Sequence, residues 1–462
     1  MKGLRFYLAL WLAKISIPAL KLTHHNGTDY PGHLAIKICP DFLDRIEKPP
    51  LVIAVTGTNG KTTCTNMICD AFEAAGRKVL CNRYGSNINS GVSTCLITGS
   101  TLSGKTKYDT AILETDERSA PRIYPFLKPD YIVVTNLYRD SIMRNAHPEY
   151  IQWVMNKGIP SKSKMVINGD DLISCGIAPD NKHIYYGIGR LESDTTEQVN
   201  RLCDLRICPE CGKKLVFDYR RYHHIGRAHC PACGFKSPEY DYEGHDIDKA
   251  AGTVQVTDKE GTRSYKIAND SLFNIYNTVM TVALMRDLGF SADEVVTLMD
   301  KVKIPATRFS SIKAGPCTVT TQLAKEMNAL AVTRATDYVR HQPGHKRLFL
   351  LLSCYKVAEN WSENMGWLYD CDFEMMNDPL IDTCVVTGPR ALDFKLRLLL
   401  AGVPEEKILC SEDEREAARK MDIASGDSIY IYCGMVEGFG VVDDCRKIIT
   451  ERCEALDGKE QA

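Results

Sequence analysis

The chain has 462 residues, room for about three domains and for a substantial core. Its 57 Lys+Arg nearly balance 59 Asp+Glu, for a formal net charge of -2, so no global basic field exists to hold nucleic acid. A composition of 44% hydrophobic and 25% charged residues excludes a disordered chain and a polytopic membrane protein. The 19 cysteines, about 4% of the chain, are too dilute for a disulfide scaffold and odd in number, which fits a reducing cytoplasm.

At the N-terminus Lys2, Arg5 and the apolar run Phe6 to Ala13 imitate a short signal peptide. Lys14 interrupts the run and no small-residue cleavage site follows, so the pattern predicts a docked amphipathic helix. No other run approaches the roughly 18 apolar residues of a membrane span. Residues 26–32, with two glycines and a proline, read as an ordered loop.

Leu51 to Thr56 is a buried-strand run, followed by Gly57-Thr58-Asn59-Gly60 and a helix from Lys61 to about Ala75. Further strand runs are Lys78 to Cys81, Thr110 to Leu113, Tyr131 to Thr135 and Met165 to Asn168. Their alternation with helical stretches predicts an α/β fold with a parallel sheet. Residues 203–240 interrupt it with a Cys-rich segment, after which helices are expected over 274–289 and 292–302. Strands at 348–353, 383–387 and 429–433 alternate with a helix over 391–402, as in a smaller α/β domain. The expected organisation is therefore an N-terminal helix and loop over 1–50, a central domain over 51–310 carrying the 203–240 insertion, and a C-terminal domain over 311–462.

Gly57, Thr58, Asn59, Gly60, Lys61, Thr62 and Thr63 lie between a strand and a helix, the context a phosphate loop requires. Glycines admit phosphate to the backbone N–H groups, Lys61 can neutralise β/γ oxygens, and Thr62 can ligate Mg²⁺. The form GTNGKTT resembles the loop of the Mur ligase and folylpolyglutamate synthase superfamily, which joins an amine to a carboxylate through an acyl phosphate. That resemblance draws attention to Glu114, Asp116 and Glu117 at a strand end, where Glu114 and Asp116 would share a face and carboxylates can meet Mg²⁺. Asn136, in the run Val134 to Asp140, matches the superfamily's TNxxxD element. Asn274 and Asn277 resemble its nucleotide-contacting asparagines, with a plain helix N-terminus as the competing reading.

Cys208-Pro-Glu-Cys211 and Cys230-Pro-Ala-Cys233 are two CxxC knuckles separated by 18 residues. This spacing points to a Cys₄ ribbon holding structural Zn²⁺, with all four positions closed. The neighbouring His223, His224, His229 and Cys203 then read as surface or packing residues.

A Mur ligase core with an inserted Cys₄ ribbon resembles the MurT family, the ligase subunits of MurT–GatD lipid II isoglutaminyl synthases. The likeness runs nearly end to end, through residues 27–32, 57–63, 82–87, 134–140, the ribbon, 367–374 and 387–391. It implies a cytoplasmic enzyme of peptidoglycan synthesis, using ATP and Mg²⁺ to phosphorylate the D-glutamate α-carboxylate of lipid II, which ammonia converts to D-isoglutamine. It also implies a GatD-like glutaminase partner in a heterodimer or larger complex, peripheral contact with a membrane-borne substrate, and no nucleic acid. By the same resemblance Lys325 and Arg308 would approach ATP or the acyl phosphate. The family's Asp, lent to the glutaminase triad three residues before a Trp, falls at Asn364, beside Glu363. Departures gather at 326–329 and 353–364, so two other readings stay open: a diverged ligase acting on another carboxylate, and an inactive nucleotide-binding scaffold for a glutaminase.

Overall fold

The computed structural model describes residues 2–460 except 24–26, 84–85, 140–146, 268–270, 303–308, 325–326, 353–354, 357–360, 363 and 435–438. The chain forms two compact units, one of Met1–Tyr138, His147–Val199 and Cys203–Ile304, the other of Arg139–Ala146, Asn200–Leu202 and Pro305–Ala462. The expected boundary at 310 falls inside the strand Phe309–Ala314, which is hydrogen-bonded into the second unit's sheet, and the 1–50 segment is part of the first unit.

The first unit contains β1 (Leu51–Thr56), β2 (Val79–Cys81), β3 (Thr110–Glu114), β4 (Tyr131–Val134), β5 (Lys164–Asn168), β6 (His183–Ile188), β7 (Val216–Tyr222), β8 (Ile225–His229), β9 (Tyr242–Asp248), β10 (Thr253–Asp258) and β11 (Gly261–Lys266). Nine of these form one sheet in the order β11-β10-β9-β6-β5-β4-β1-β3-β2. From β2 to β9 every pairing is parallel, and the central strands are the continuous apolar runs that a sheet covered on both faces requires. The sheet is not wholly parallel as expected: β9, β10 and β11 form an antiparallel edge. That edge carries alternating or mostly exposed side chains, the pattern of a sheet with one wet face, which apolar-run reading does not detect. β7 and β8 form a separate hairpin within the Cys-rich insertion.

Two N-terminal expectations are corrected. The helix Leu4–Leu22 docks through Phe6, Ala9, Leu10 and Ala13, but its outward line is also apolar, so it is not amphipathic. Residues 30–32, read as loop, begin the helix Tyr30–Ile38, whose first turn accepts Pro31 because the N–H there needs no helical partner. Among the described residues, no helix is long and apolar enough to cross a membrane.

The second unit pairs β12 (Phe309–Ala314) antiparallel with β13 (Cys317–Leu323), and adds β14 (Lys346–Leu351), a two-strand hairpin β15–β16 (Tyr355–Lys356 and Trp361–Ser362), β17 (Ile381–Thr387), β18 (Ile408–Ser411) and β19 (Ser428–Cys433). Its six-stranded sheet runs β12-β13-β19-β14-β17-β18, parallel beyond β13. The segment Asn200–Leu202 belongs to this unit: Asp372 accepts from Asn200 Nδ2 and the Arg201 N–H, both at 2.7 Å, and Arg201 pairs with Glu374 at 2.8 Å. Buried Arg397 braces the same turn through the Leu368 and Cys371 carbonyls.

In the first unit the helices Tyr30–Ile38 and Asn89–Thr98 pack face to face, and Gly32 is the closest point. A Cβ there would lie 1.9 Å from the Ser90 carbonyl oxygen, while the Gly32 N–H donates to Thr94 Oγ1 at 2.8 Å. The atoms in the way, the Ser90 carbonyl group and the Thr94 N, are all backbone, so relief requires the helices to separate. Gly32→Ala should destabilise the chain by about 3 kcal/mol, the upper end for overpacking. Chemical denaturation checks this, and a variant as stable as the parent would show that the two helices are not closely fitted.

Candidate functional site

The parallel register of β1 with β3 sets Val55 opposite Glu114, so the loop after β1 and the acidic end of β3 emerge side by side. The loop turns sharply because Gly57 takes φ 125°, and a Cβ there would lie 2.2 Å from Thr135 Oγ1. Gly60 follows at φ 85° as the N-cap of the helix Lys61–Ala74, and no side chain caps that helix among the described residues. An uncapped first turn presents its backbone N–H groups and the positive end of the helix dipole to an anion.

The end of β4 braces the loop. Asn136 Oδ1 accepts from the Asn59 N–H at 3.0 Å while Asn136 Nδ2 donates to the Asn59 carbonyl at 3.1 Å, and Thr135 Oγ1 donates to the same carbonyl at 2.7 Å. The Thr58 N–H donates to the Asn136 carbonyl at 2.8 Å. Asn136 therefore shapes the loop. On the other side Cys64 Sγ donates to Asn277 Oδ1 at 2.9 Å, and Asn277 Nδ2 reaches Asn274 Oδ1 at 3.5 Å. Both asparagines lie in the first two turns of the helix Leu272–Asp287, so the N-terminal placement and the proximity to the loop hold together.

The acidic strand end divides its work among three carboxylates. Glu114 Oε2 accepts from Thr62 Oγ1 at 2.8 Å and Oε1 from Asn87 Nδ2 at 3.1 Å, and its backbone is clamped by Asn82 through bonds of 2.8 and 2.9 Å. A threonine hydroxyl and a carboxylate at this spacing are hard oxygen donors suited to Mg²⁺. Glu117 is buried and pairs with Lys61 Nζ at 3.1 Å. Burial pushes its carboxyl up from the ordinary range, and the Lys61 ammonium opposes that shift. Lys61 also donates to the Gly57 and Thr58 carbonyls, so its ammonium is held inside the loop's curl. Asp116 does not share a face with Glu114 as expected: β3 ends at Glu114, and Asp116 instead caps a short 3-10 turn, accepting from the Arg118 and Ser119 N–H groups. Thr63 lies in the first turn of the helix, and Asn82 and Asn87, the two ends of the 82–87 run, both hold Glu114.

In the insertion, the Sγ atoms of Cys208, Cys211, Cys230 and Cys233 all lie within 4.8 Å of one another, with 3.6 Å from Cys208 to Cys233 and 3.5 Å from Cys211 to Cys230. A tetrahedral ion with bonds of about 2.3 Å separates its sulfurs by about 3.8 Å, so the donor set fits one soft divalent ion. Each knuckle is closed by its own backbone, Cys208 N–H to the Lys213 carbonyl and Cys230 N–H to that of Phe235, both 2.7 Å. The neighbouring residues take other work. His224 is fully buried and bonds Asp171 at 3.2 Å, His229 pairs with Asp218, and Cys203 donates to the Leu205 carbonyl. Burial opposes ionisation of Asp171, but His224, Ser174 and the Leu137 N–H outweigh it and lower its pKa.

The sequence did not disclose how the insertion is tied to the sheet. β7 delivers Arg221, 2% exposed at its side chain, onto Asp170 at 3.0 Å and Asp194 at 2.8 Å, both fully buried. Tyr276 OH donates to Asp170 and accepts from Arg221, and Tyr240 OH also donates to Asp170. Tyr276 sits between Asn274 and Asn277, so this cluster fixes the turn that faces the phosphate loop. An Arg one residue past another Arg in a polar strand reads as surface, and only its out-of-register placement against buried acids marks it.

In the second unit Asn364 caps a 3-10 turn, Met365–Asp370, its Oδ1 accepting from the Gly366 N–H at 2.9 Å, while Trp367 is buried against Phe394. Lys325, Glu363 and Arg308 lie outside the described residues.

Residues 55–203 match the Mur ligase middle domain and residues 326–435 the MurT ligase C-terminal family. The chain is 30% identical over 427 residues, 91% of its own length and 93% of the relative's, to the lipid II isoglutaminyl synthase (glutamine-hydrolyzing) subunit MurT of Staphylococcus aureus strain COL. The chain belongs to the MurT family. A second MurT relative, from Streptococcus pneumoniae strain ATCC BAA-255 / R6, is 27% identical over 426 residues, covering 89% of this chain and 91% of the relative. Two solved structures share the fold. A pseudomurein peptide ligase type C from Methanothermus fervidus has a TM-score of 0.62 at 19% identity, over 89% of this chain and 81% of that one. MurF ligase from Thermotoga maritima in complex with ADP has a TM-score of 0.58 at 15% identity, over 91% and 85%. As in other MurT members, the family relation supports an ATP-dependent ligase of peptidoglycan synthesis that works as a subunit of a complex.

The Arg221 cluster yields a direct test. Removing its one guanidinium leaves two buried carboxylates facing each other, a loss of about 3–5 kcal/mol. Arg221→Ala should therefore lower the stability of the chain by that amount in urea, and a loss below about 1 kcal/mol would show that the buried pair does not anchor the insertion.

Proposed function

We propose that the chain is the ligase subunit of a glutamine-hydrolysing amidoligase pair, converting the D-glutamate α-carboxylate of the lipid II stem peptide to D-isoglutamine. The observation that carries this is the juxtaposition of Lys61, Thr62, Glu114 and Glu117 in a chain that resembles MurT relatives over nine-tenths of its length. ATP supplies the phosphoryl group, and Mg²⁺ offsets the charge of its oxygens.

Thr62 Oγ1 and Glu114 would hold the Mg²⁺, with Asn87 aiming the Glu114 carboxylate. Lys61 is poised to exchange its loop carbonyls for β/γ-phosphate oxygens, and Glu117 holds that ammonium in place. Asn136 sets the loop, and Asn274 and Asn277 line its far side. Lys325 and Arg308 take the acyl-phosphate side on the strength of family resemblance. Attack of ammonia on the acyl phosphate forms the amide C–N bond and breaks the C–O bond to phosphate, and the proton lost from nitrogen leaves on inorganic phosphate. Zn²⁺ is the ion we assign to Cys208, Cys211, Cys230 and Cys233, where it closes the two knuckles beneath the β7–β8 hairpin.

Ammonia would come from a GatD-like glutaminase on the cytoplasmic side, where ATP is found. The helix Ala391–Leu400, packed beside the Asn364 turn, turns Leu392, Leu396 and Leu400 outward, an apolar line that supports a protein partner here. Asn364 can orient a histidine tautomer but cannot stabilise imidazolium by charge, which favours weaker glutaminase coupling than an aspartate would give.

Mass spectrometry of lipid II incubated with the chain, ATP and Mg²⁺ tests the proposal, first with ammonium and then with glutamine plus a GatD-like partner. Amide should form in both arms. Leu392→Ser with Leu396→Ser should cut the glutamine arm at least about tenfold and spare the ammonium arm, two exposed apolar anchors being worth that at an interface. No amide with either nitrogen source, from a chain that still binds ATP, would overturn lipid II as substrate and leave the diverged ligase or the scaffold.

A further inference from the structure

The N-terminal helix Leu4–Leu22 buries one apolar line and exposes another. Phe6, Ala9, Leu10 and Ala13 face the core, with Phe6 stacked on Phe42 at 5.2 Å between ring centroids. At helical spacing on the opposite side stand Leu4, Leu8, Trp11, Ile15 and Leu22, exposed by 84, 48, 47, 65 and 83%. Leu12 widens the line, and Trp11 Nε1 donates to the Leu102 carbonyl at 2.9 Å, bringing the exposed Leu102 side chain alongside.

At 1.5 Å per residue this apolar line extends over about 27 Å, far more than the scattered exposed leucines of an ordinary surface. The helix contains no acidic residue; its charges are Arg5, Lys14 and Lys21, and Lys2 precedes it. Arg5 and Lys21 are exposed at the margins of the line, and Lys14 is turned inward onto the Ile97 and Ser100 carbonyls. An exposed apolar ridge with an indole whose N–H is already satisfied, on a helix whose own charges are all cationic although Glu47 lies 4.0 Å from Lys2 at its start, has the chemistry of a helix lying in the headgroup layer of an anionic bilayer. The helix is too polar to span, since none of the described helices meets that requirement.

We infer that the helix Leu4–Leu22 is a peripheral membrane anchor, laying Leu4, Leu8, Trp11, Ile15 and Leu22 into the surface of an anionic bilayer. The inference deepens the lipid II reading by naming the surface that brings the ligase to a lipid-linked substrate, and its test does not need that substrate. Anchoring on one helix face leaves the rest of the first unit in solution, because Phe6, Ala9, Leu10 and Ala13 keep the helix fixed to its own core.

The test is co-sedimentation of the full chain with vesicles of phosphatidylglycerol and phosphatidylcholine, and with vesicles of phosphatidylcholine alone, neither containing lipid II. The chain should sediment with the anionic vesicles, and more weakly with the neutral ones. A variant carrying Leu8→Ser, Trp11→Ser and Ile15→Ser should bind the anionic vesicles at least about tenfold more weakly, given what three large apolar side chains contribute. Its melting temperature should fall by no more than a few degrees, because the three side chains lie off the core and the variant gives up only the surface contacts of Trp11 with the Leu102 carbonyl and Tyr7. The anchor is overturned if the parent binds neither vesicle, or if the triple variant binds as well as the parent. It is also overturned if the parent is a dimer that the variant makes monomeric without any vesicle binding, since the line is then a contact between copies. Amidation of detergent-dispersed lipid II separates the two readings: vesicle binding without amidation defeats only the substrate, and amidation without vesicle binding defeats only the anchor.

Discussion

The parallel pairing of β1 with β3 is the constraint on which the site rests. It sets Val55 beside Glu114, so the phosphate loop and the carboxylate that receives Thr62 leave the sheet at one level. A slip of one residue would turn Glu114 to the opposite face and separate it from the loop. The apolar side chains of both strands, Val52, Ala54, Ala111 and Leu113 among them, are buried in a single cluster and hold that register. The geometry of the candidate site is thus a by-product of core packing: the polar residues at the strand ends are placed by the apolar residues behind them.

Around this junction each charged group has a partner that assigns its role. Glu117 is paired with Lys61 and buried, Asp116 is occupied in capping, and Glu114 alone stands at the loop's mouth with Thr62 and Asn87. The Arg221 cluster extends the same logic outward. It joins the Cys-rich insertion to Asp170 at the end of β5 and to Tyr276 beside the loop-facing asparagines, which explains why a small segment with no large core of its own sits firmly on the ligase unit. The four gathered cysteines mark the outer end of that insertion, where the metal we assign to them would stiffen it, and the buried ion cluster stiffens the inner end.

Much of this was legible in the sequence because it follows from local rules. The phosphate loop is a motif between a strand and a helix, the paired CxxC knuckles are a spacing, and the central strands are runs of apolar residues. What escaped depends on tertiary context. Asp116 becomes a cap because β3 stops two residues earlier, and Arg221 becomes structural because β7 carries it to two acids far away in sequence. The antiparallel edge β9–β11 lacks continuous apolar runs, and the helix Leu4–Leu22 hides its second apolar line because a pattern that is apolar on two sides imitates a secretory leader. The segment Asn200–Leu202 joins the second unit through Asp372, a pairing across more than a hundred and fifty residues that no local pattern announces.

The account turns on Glu114 and Thr62 as the Mg²⁺ arm of the nucleotide site, and the most direct test is calorimetric titration of ATP with and without Mg²⁺. The parent chain should bind ATP more tightly with Mg²⁺ present. Glu114→Gln should lose that advantage while keeping its Mg²⁺-free affinity, because Lys61 and the loop N–H groups are untouched. A Glu114→Gln chain whose ATP affinity still rises with Mg²⁺ as the parent's does would contradict the assignment.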